Sequence, residues 1–246
     1  TQDIYLAKLK FDDFNLDYSI IVSASEQDNH FRQLFKILEL LKFKFAKKNY
    51  HLSYGLVNLP SGRMKSREGR VVDADDLIDE MIKISKKEIN KRHKGLSEKE
   101  VDKRAKIIGL GALKFYMVKF DNITSFIYDP EESLSFEGET GPYIQYAHAR
   151  ICSIMKKYNK EVKKKLNSGL LTAKEEERLI TQLFNFENTV EQAANSYKPH
   201  LLARYMLDLA QSFNEFYHTC PILQADEDVK QARLNLILAV KEVLKD

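Results

Sequence analysis

Residues 18–58 place the first constraint on the fold. A short β-branched run, Tyr18–Ala24 (YSIIVSA), is followed by Phe31, Leu34, Phe35, Leu38 and Leu41 at helical spacing. A second run, His51–Asn58 (HLSYGLVN), comes next. The two runs read as strands and the segment between them as an amphipathic helix. Strand, helix and strand in succession predict a parallel sheet with a right-handed crossover. Ligands of such sheets gather beyond the carboxyl ends of the strands. The spacing therefore brings Ser25–His30 and Ser61–Arg70 to one crevice.

After this unit the pattern turns helical and stays so. Asp73, Asp75 and Asp76 suit a helix N-terminus, where carboxylates accept orphan amides and complement the dipole. Ser97-Glu98-Lys99-Glu100 is a capping box that opens a helix through about Tyr116. Residues 121–141 carry Pro130, Gly138 and Gly141 without periodicity, which puts a domain junction there. Helices are expected over 142–165, 172–195 (Thr172 and Glu175 forming another capping box), 199–218 and 226–244. Pro199 fits a first helical turn, and Pro221 ends the helix before it. Leu202, Tyr205, Leu209, Phe213 and Phe216 form one apolar stripe, a bundle core. The expected fold class is α/β plus all-α, predominantly helical. A partial parallel sheet over 1–125 precedes a helical bundle over 126–246.

Composition narrows the function classes. Hydrophobic residues make up 43% and charged residues 30%, values of a folded globular chain rather than a disordered one. Cys152 and Cys220 stand far apart without CxxC spacing, which argues against a disulfide scaffold or structural zinc and for a reducing compartment. No apolar run approaches membrane-spanning length and no signal peptide opens the sequence. The chain begins with Thr1 rather than Met and reads as a fragment. A net charge of +3 does not by itself announce nucleic acid, but basic runs at Lys83–Lys94 and Lys156–Lys165 concentrate positive charge. Either run could instead be a solvated helix face.

The stretch Leu59–Val72 (LPSGRMKSREGRVV) sets Arg63, Lys65 and Arg67 on alternate positions between Gly62 and Gly69. Such a loop suits a polyanion whose charge changes during reaction, and a triphosphate is one. Taken alone, the loop reads first as a solvated basic hairpin, and only its context makes the signal specific. Downstream, Tyr143, Tyr146 and Arg150 share one helix face, at i, i+3 and i+7. Aromatic rings and Arg planes of this kind stack on unpaired RNA bases, while lysines meet phosphate. Lys156, Lys157, Lys160, Lys163 and Lys164 are expected to prolong the same helix. The alternative is that both tyrosines are packing residues.

Two segments resemble one family. Arg63-Met64-Lys65-Ser66-Arg67 is similar to the Lys-Met-Ser-Lys-Ser signature of class I aminoacyl-tRNA synthetases, in the variant of the arginyl-tRNA synthetases. SFEGETGPYIQYAHARICSI (Ser135–Ile154) resembles the start of that family's helical anticodon-binding domain. The other class I signature, His-Ile-Gly-His, is not among these residues. The resemblance thus implies the second half of a catalytic domain joined to most of an anticodon domain.

The resemblance also implies an activity, ATP-dependent joining of arginine to tRNA(Arg) in the cytoplasm by a monomeric enzyme, with Mg²⁺ accompanying ATP and no protein-caged metal. Arg63, Lys65 and Arg67 would be the catalytic cations. Met64, Lys65, Ser66, Asp28 and His30 would hold ATP, and Asp3 and Gln27 would hold arginine. Tyr143, Tyr146, Arg150, Lys156 and Lys160 would meet tRNA. Taken alone, Asp3 reads as a helix cap and Gln27 as a loop residue. A non-catalytic tRNA-binding module and a helical interaction scaffold are the rival readings.

Overall fold

The computed structural model describes residues 2–58, 73–163 and 168–245. The cationic loop, with Arg63, Met64, Lys65, Ser66 and Arg67, lies outside the described residues. The chain divides into two compact units, one within Thr1–Arg63 and Asp121–Ile127, the other within Met64–Phe120 and Tyr128–Asp246.

In the first unit, α1 (Gln2–Phe14) leads into β1 (Ser19–Ala24), a 3-10 turn at Ser25–Gln27, α2 (Asp28–Leu40) and β2 (Asn49–Tyr54). β1 and β2 pair in parallel from Ser19↔Asn49 to Ala24↔Tyr54, the geometry expected of strand, helix and strand. On α2, Phe31, Leu34 and Leu38 are buried, because the helical period puts them on one face. Ala7 of α1 joins Leu38 and Ala46 in a small core.

The second strand is not continuous over His51–Asn58. It breaks at Gly55, whose amide donates to the Asn122 carbonyl at 2.7 Å. A Cβ on Gly55 would stand 2.4 Å from the Thr124 carbonyl carbon, so only glycine permits this approach. The chain then joins a second sheet, where β3 (Val57–Asn58) pairs in parallel with β4 (Phe126–Ile127). The break follows from a partner more than 60 positions away, which no local pattern announces.

The second unit is helical. α3 (Ala74–Arg92) starts at Asp73, with Asp75 and Asp76 in its first turn, as the carboxylate cluster predicts. α4 (Glu98–Val118) starts at Ser97, whose Oγ accepts the Glu100 amide at 3.3 Å. The Glu100 carboxylate meets Arg104 at 2.8 Å. After β4 the chain forms a short α5 (Pro130–Ser133), capped by Asp129, and then α6 (Gly141–Tyr158). Thr140 fixes the start of α6: its Oγ1 accepts the Tyr143 amide at 3.2 Å and donates to the Ser135 carbonyl at 2.5 Å.

α6 ends earlier than the charge run suggests. Asn159 adopts a left-handed conformation (φ 49°, ψ 31°) and closes the helix, its amide on the Met155 carbonyl. Lys160 and Lys163 therefore leave the helix, and only Lys156 and Lys157 remain on it. Lys163 is tied by its backbone to α10 (Glu227–Lys245), its amide donating to Gln231 Oε1 at 3.0 Å and its carbonyl accepting from Asn235. Lys164 lies outside the described residues.

The helix expected over 172–195 is two helices, α7 (Lys174–Phe184) and α8 (Phe186–Ser196), which bend apart at Asn185. The start shifts by one residue from the Thr172 box. Ala173 takes the cap position and its amide donates to Glu176 Oε2 at 2.8 Å, because Glu176 is held in place from elsewhere in the fold. α9 (Pro199–Thr219) carries the stripe into the core. Tyr205, Leu209, Phe213 and Phe216 are buried and Leu202 packs against them, alongside Ile151, Leu179, Leu234 and Ile237 from the neighbouring helices. Among the described residues no helix is long and apolar enough to cross a membrane.

Candidate functional site

The first group of residues gathers beside the β1–β2 sheet and the start of α2. Asp28 opens α2, and its Oδ1 lies 3.4 Å from His51 Nδ1, an electrostatic contact rather than a hydrogen bond. His51, on β2, is nearly enclosed, with its side chain 9% exposed. Its Nε2 lies 2.8 Å from Ser23 Oγ on β1, and its ring packs on Phe31 at 4.5 Å. A proton on Nδ1 would face the carboxylate and leave Nε2 to accept the serine hydroxyl.

Asp3, in the first turn of α1, is paired with His30 of α2, Oδ2 to Nε2, at 3.1 Å. Both side chains are about half exposed, which leaves their outer edges open to a ligand. Gln27 ends the 3-10 turn, exposed, at the cap position of α2. The structure thus pairs Asp3 with His30 and sets Asp28 beside them in sequence on α2. Sequence reasoning missed His51 and Ser23. Register was the signal available: Ile21 pairs with His51, so Ser23 lies one diagonal step away on the same face of the sheet. Among the described residues no group of three or more His, Cys, Asp or Glu side chains could hold a metal ion.

The second group is on α6, within the helical unit. Tyr146 is 49% exposed. The Arg150 guanidinium carbon lies 4.8 Å from the centroid of the Tyr146 ring and 4.8 Å from that of Tyr217 on α9. Arg150 Nη1 donates to Asn214 Oδ1 at 2.6 Å, and Asn214 Nδ2 donates to the Tyr143 hydroxyl at 2.9 Å. One amide on α9 therefore fixes both the guanidinium and a tyrosine on α6. Tyr143 is half-buried and packs against the bundle core. Tyr143, Tyr146, Arg150 and Asn214 line an open cleft of about 790 Å³, which Glu215 and His218 also border. Lys156 is exposed in the last turn of α6, and Lys160 is exposed past its end.

Asn214 and Tyr217 were not singled out from the sequence. They stand at i and i+3 on α9, beside Phe213 and Phe216, where the apolar stripe hides a polar flank.

A parallel strand–helix–strand unit, followed by a helical bundle that presents Arg150 and Tyr146 on α6, defines an α/β plus all-α architecture. Comparison with known proteins makes this specific. Residues 1–130 match the family described as tRNA synthetases class I (R), catalytic domain, and residues 144–246 match the DALR anticodon binding domain. The chain belongs to the class I arginyl-type tRNA synthetase family.

It is 41% identical to an arginine–tRNA ligase of Bacteroides thetaiotaomicron, over 100% of this chain and 42% of that protein. It is 40% identical to an arginine–tRNA ligase of Treponema pallidum, over 100% of this chain and 43% of that protein. Among solved structures it resembles Thermus thermophilus arginyl-tRNA synthetase, with a TM-score of 0.82 and 30% identity, covering 93% of this chain and 39% of that one. The Plasmodium falciparum enzyme shares the fold, with a TM-score of 0.83 at 24% identity, over 99% of this chain and 41% of that one. The chain thus spans about two fifths of the length of these relatives.

Proposed function

We propose that the chain works as part of an ATP-dependent arginine–tRNA ligase, supplying the cationic signature loop and the anticodon-binding bundle. The observation that carries this reading is the tandem match on one chain, catalytic family over 1–130 and anticodon-binding family over 144–246. In the reaction the arginine carboxylate attacks the α-phosphate of ATP and pyrophosphate leaves, giving arginyl-adenylate; a hydroxyl of tRNA(Arg) then takes the arginyl group and AMP leaves.

Charge builds on the phosphate oxygens in the transition state, and fixed cations that meet it there accelerate the step. Arg63, Lys65 and Arg67 take that role, with Met64 and Ser66 beside the nucleotide. Asp28 and His30 hold the ATP side of the crevice, and Mg²⁺ arrives with the triphosphate. Asp3 takes the arginine guanidinium, which a carboxylate fits bidentately, and Gln27 assists it. Tyr143, Tyr146, Arg150, Lys156 and Lys160 meet tRNA. Residues 1–125 form the catalytic part and 126–246 the anticodon-binding part of a monomeric cytoplasmic enzyme.

Two measurements test the proposal. This chain should bind a tRNA(Arg) transcript more tightly than one with an altered anticodon, and equal binding to both would overturn the bundle's role. A protein that joins this chain to the remaining sequence of its relatives should catalyse arginine-dependent exchange of pyrophosphate into ATP. Exchange driven equally well by lysine would overturn the substrate assignment. The rival, a tRNA-binding module without chemistry, draws support from one observation: Tyr146, Arg150, Asn214 and Tyr217 all lie in a single compact unit. It predicts binding without exchange.

A further inference from the structure

His51 stands within β2 at a place where a leucine would pack on Phe31 with no polar group to satisfy. Its side chain is 9% exposed, and a buried ring nitrogen without a partner is costly. Both nitrogens are met. Nε2 lies 2.8 Å from Ser23 Oγ on β1, and Nδ1 lies 3.4 Å from Oδ1 of Asp28, the first residue of α2. The ring therefore links both strands of the sheet to the start of the helix whose Phe31 packs on it. The Asp28 carboxylate is divided between inside and outside. Its Oδ1 is buried and has no hydrogen-bond partner, while the side chain as a whole is 44% exposed. The exposure lies elsewhere on the group, which leaves Oδ2 as the oxygen open to a ligand.

We propose that His51 is a positioning residue for nucleotide binding. Its Nδ1 proton faces the inward oxygen of Asp28, so that Oδ2 is held in one orientation for a ribose hydroxyl of ATP. The inference rests on the reading of Asp28 as an ATP-side residue. Charge decides where the ring proton sits. With the proton on Nε2 alone, the Nδ1 lone pair would face a carboxylate oxygen, and the two would repel. With the proton on Nδ1, the ring donates toward Asp28 and Nε2 accepts the Ser23 hydroxyl. Ser23 is thus the far end of the device. An aspartate side chain turns about two bonds, and fixing it beforehand removes an ordering cost that binding would otherwise bear. His51 itself touches no substrate, since both nitrogens are engaged and Phe31 packs on its ring.

Two substitutions separate the two ends of the ring. The amide nitrogen of an asparagine falls near the Nδ1 position, and that of a glutamine reaches the Nε2 position. In the joined protein used for pyrophosphate exchange, His51→Gln should raise the KM for ATP by about tenfold with kcat nearly unchanged. That is the scale of leaving a charged acceptor without its donor. His51→Asn should restore most of the ATP affinity, and the KM for arginine should stay the same in both. A merely structural histidine predicts another pattern, in which both KM values rise together and follow the melting temperature in either variant. That pattern would overturn the proposal. Asp28→Asn checks the underlying reading: it should raise the KM for ATP, and adding His51→Gln should then change little. An unchanged KM in Asp28→Asn would overturn the ATP role of Asp28 and the inference with it. A raised KM in Asp28→Asn beside an unchanged one in His51→Gln would overturn the positioning role alone. Nitrogen NMR of the 246-residue chain reads the ring without any substitution. A proton on Nδ1 supports the proposal, and a proton on Nε2 alone overturns it.

Discussion

Arg233 on α10 places its Nε 2.6 Å from Oε1 of Glu176 on α7, and the Glu176 side chain is 1% exposed. The other Glu176 oxygen accepts the Ala173 amide, and Arg233 Nη1 donates to the Pro221 carbonyl at 2.5 Å. One ion pair thus ties the start of α7, the turn after α9 and the middle of α10. Cys220 lies in the same region, where burial pushes its thiol pKa up and leaves it a poor nucleophile.

Removing one partner of this pair should cost far more than removing both. Arg233→Ala leaves a buried carboxylate uncompensated, a loss of about 3–5 kcal/mol. Glu176→Leu combined with Arg233→Met should lose less than Arg233→Ala alone, because no charge is then stranded. Urea unfolding of the two variants, at matching m-values, gives the comparison. Equal losses would mean that the pair acts through packing rather than charge.

Gly141→Ala tests how closely two helices approach. A Cβ there would stand 2.5 Å from the backbone carbonyl oxygen of Gly111 on α4, and backbone cannot rotate away. The expected cost is about 1–3 kcal/mol from overpacking. Gly138→Ala meets nothing within 4 Å but sits at φ +84°, so it should lose about 1–2 kcal/mol through strain alone. Restoring space opposite Gly141 is impossible at Gly111, which is already glycine. Second-site repair should therefore fail for Gly141→Ala, as thermal melts would show.

Much of the bundle could be read from the sequence because its causes are local. The stripe on α9 follows from periodicity, and the starts of α3 and α4 follow from Asp73 and Ser97. The errors share one physical origin, which is that distant partners overrule local signals. Thr172 lost the cap because Arg233 fixes Glu176, and the strand at Gly55 broke because Asn122 and β4 wait on the other side. Lys160 left its helix because Asn159 turned left-handed. The candidate site divides the same way. Asp28, His30, Tyr146 and Arg150 came from motif resemblance, whereas His51, Asn214 and Tyr217 enter only through register and helix packing.

His148 on α6 should make stability depend on pH. Burial lowers its pKa below 6.5, the charge of Lys241 lowers it further, Glu242 opposes this in part, and Lys245 adds the smallest lowering effect. The fold accommodates the neutral ring, so its contribution is complete above pH 6.5 and is lost as pH falls below that value. His148→Asn should therefore flatten the fall in melting temperature between about pH 7 and pH 5. Parallel curves for the two proteins would show that His148 takes no part.

Tyr146→Ala bears on the tRNA reading most directly. The ring is half exposed and packs against the Arg150 guanidinium. Truncating it should leave the bundle folded, since Ile151, Phe213 and Phe216 of the core are untouched. If an unpaired base stacks there, tRNA affinity should fall by ~1–3 kcal/mol. The slope of binding against salt should stay the same, because no phosphate neutralisation is lost. Lys156→Ala should do the reverse, flattening the salt slope by about one charge while keeping the preference among anticodons. Tyr143→Phe removes only the hydroxyl that Asn214 holds, and separates the stacking ring from the hydrogen-bonded anchor beside it. Titrations with melts run in parallel decide the matter. Full affinity in a folded Tyr146→Ala chain would take Tyr146 out of the site, and a large drop in its melting temperature would return the ring to the core.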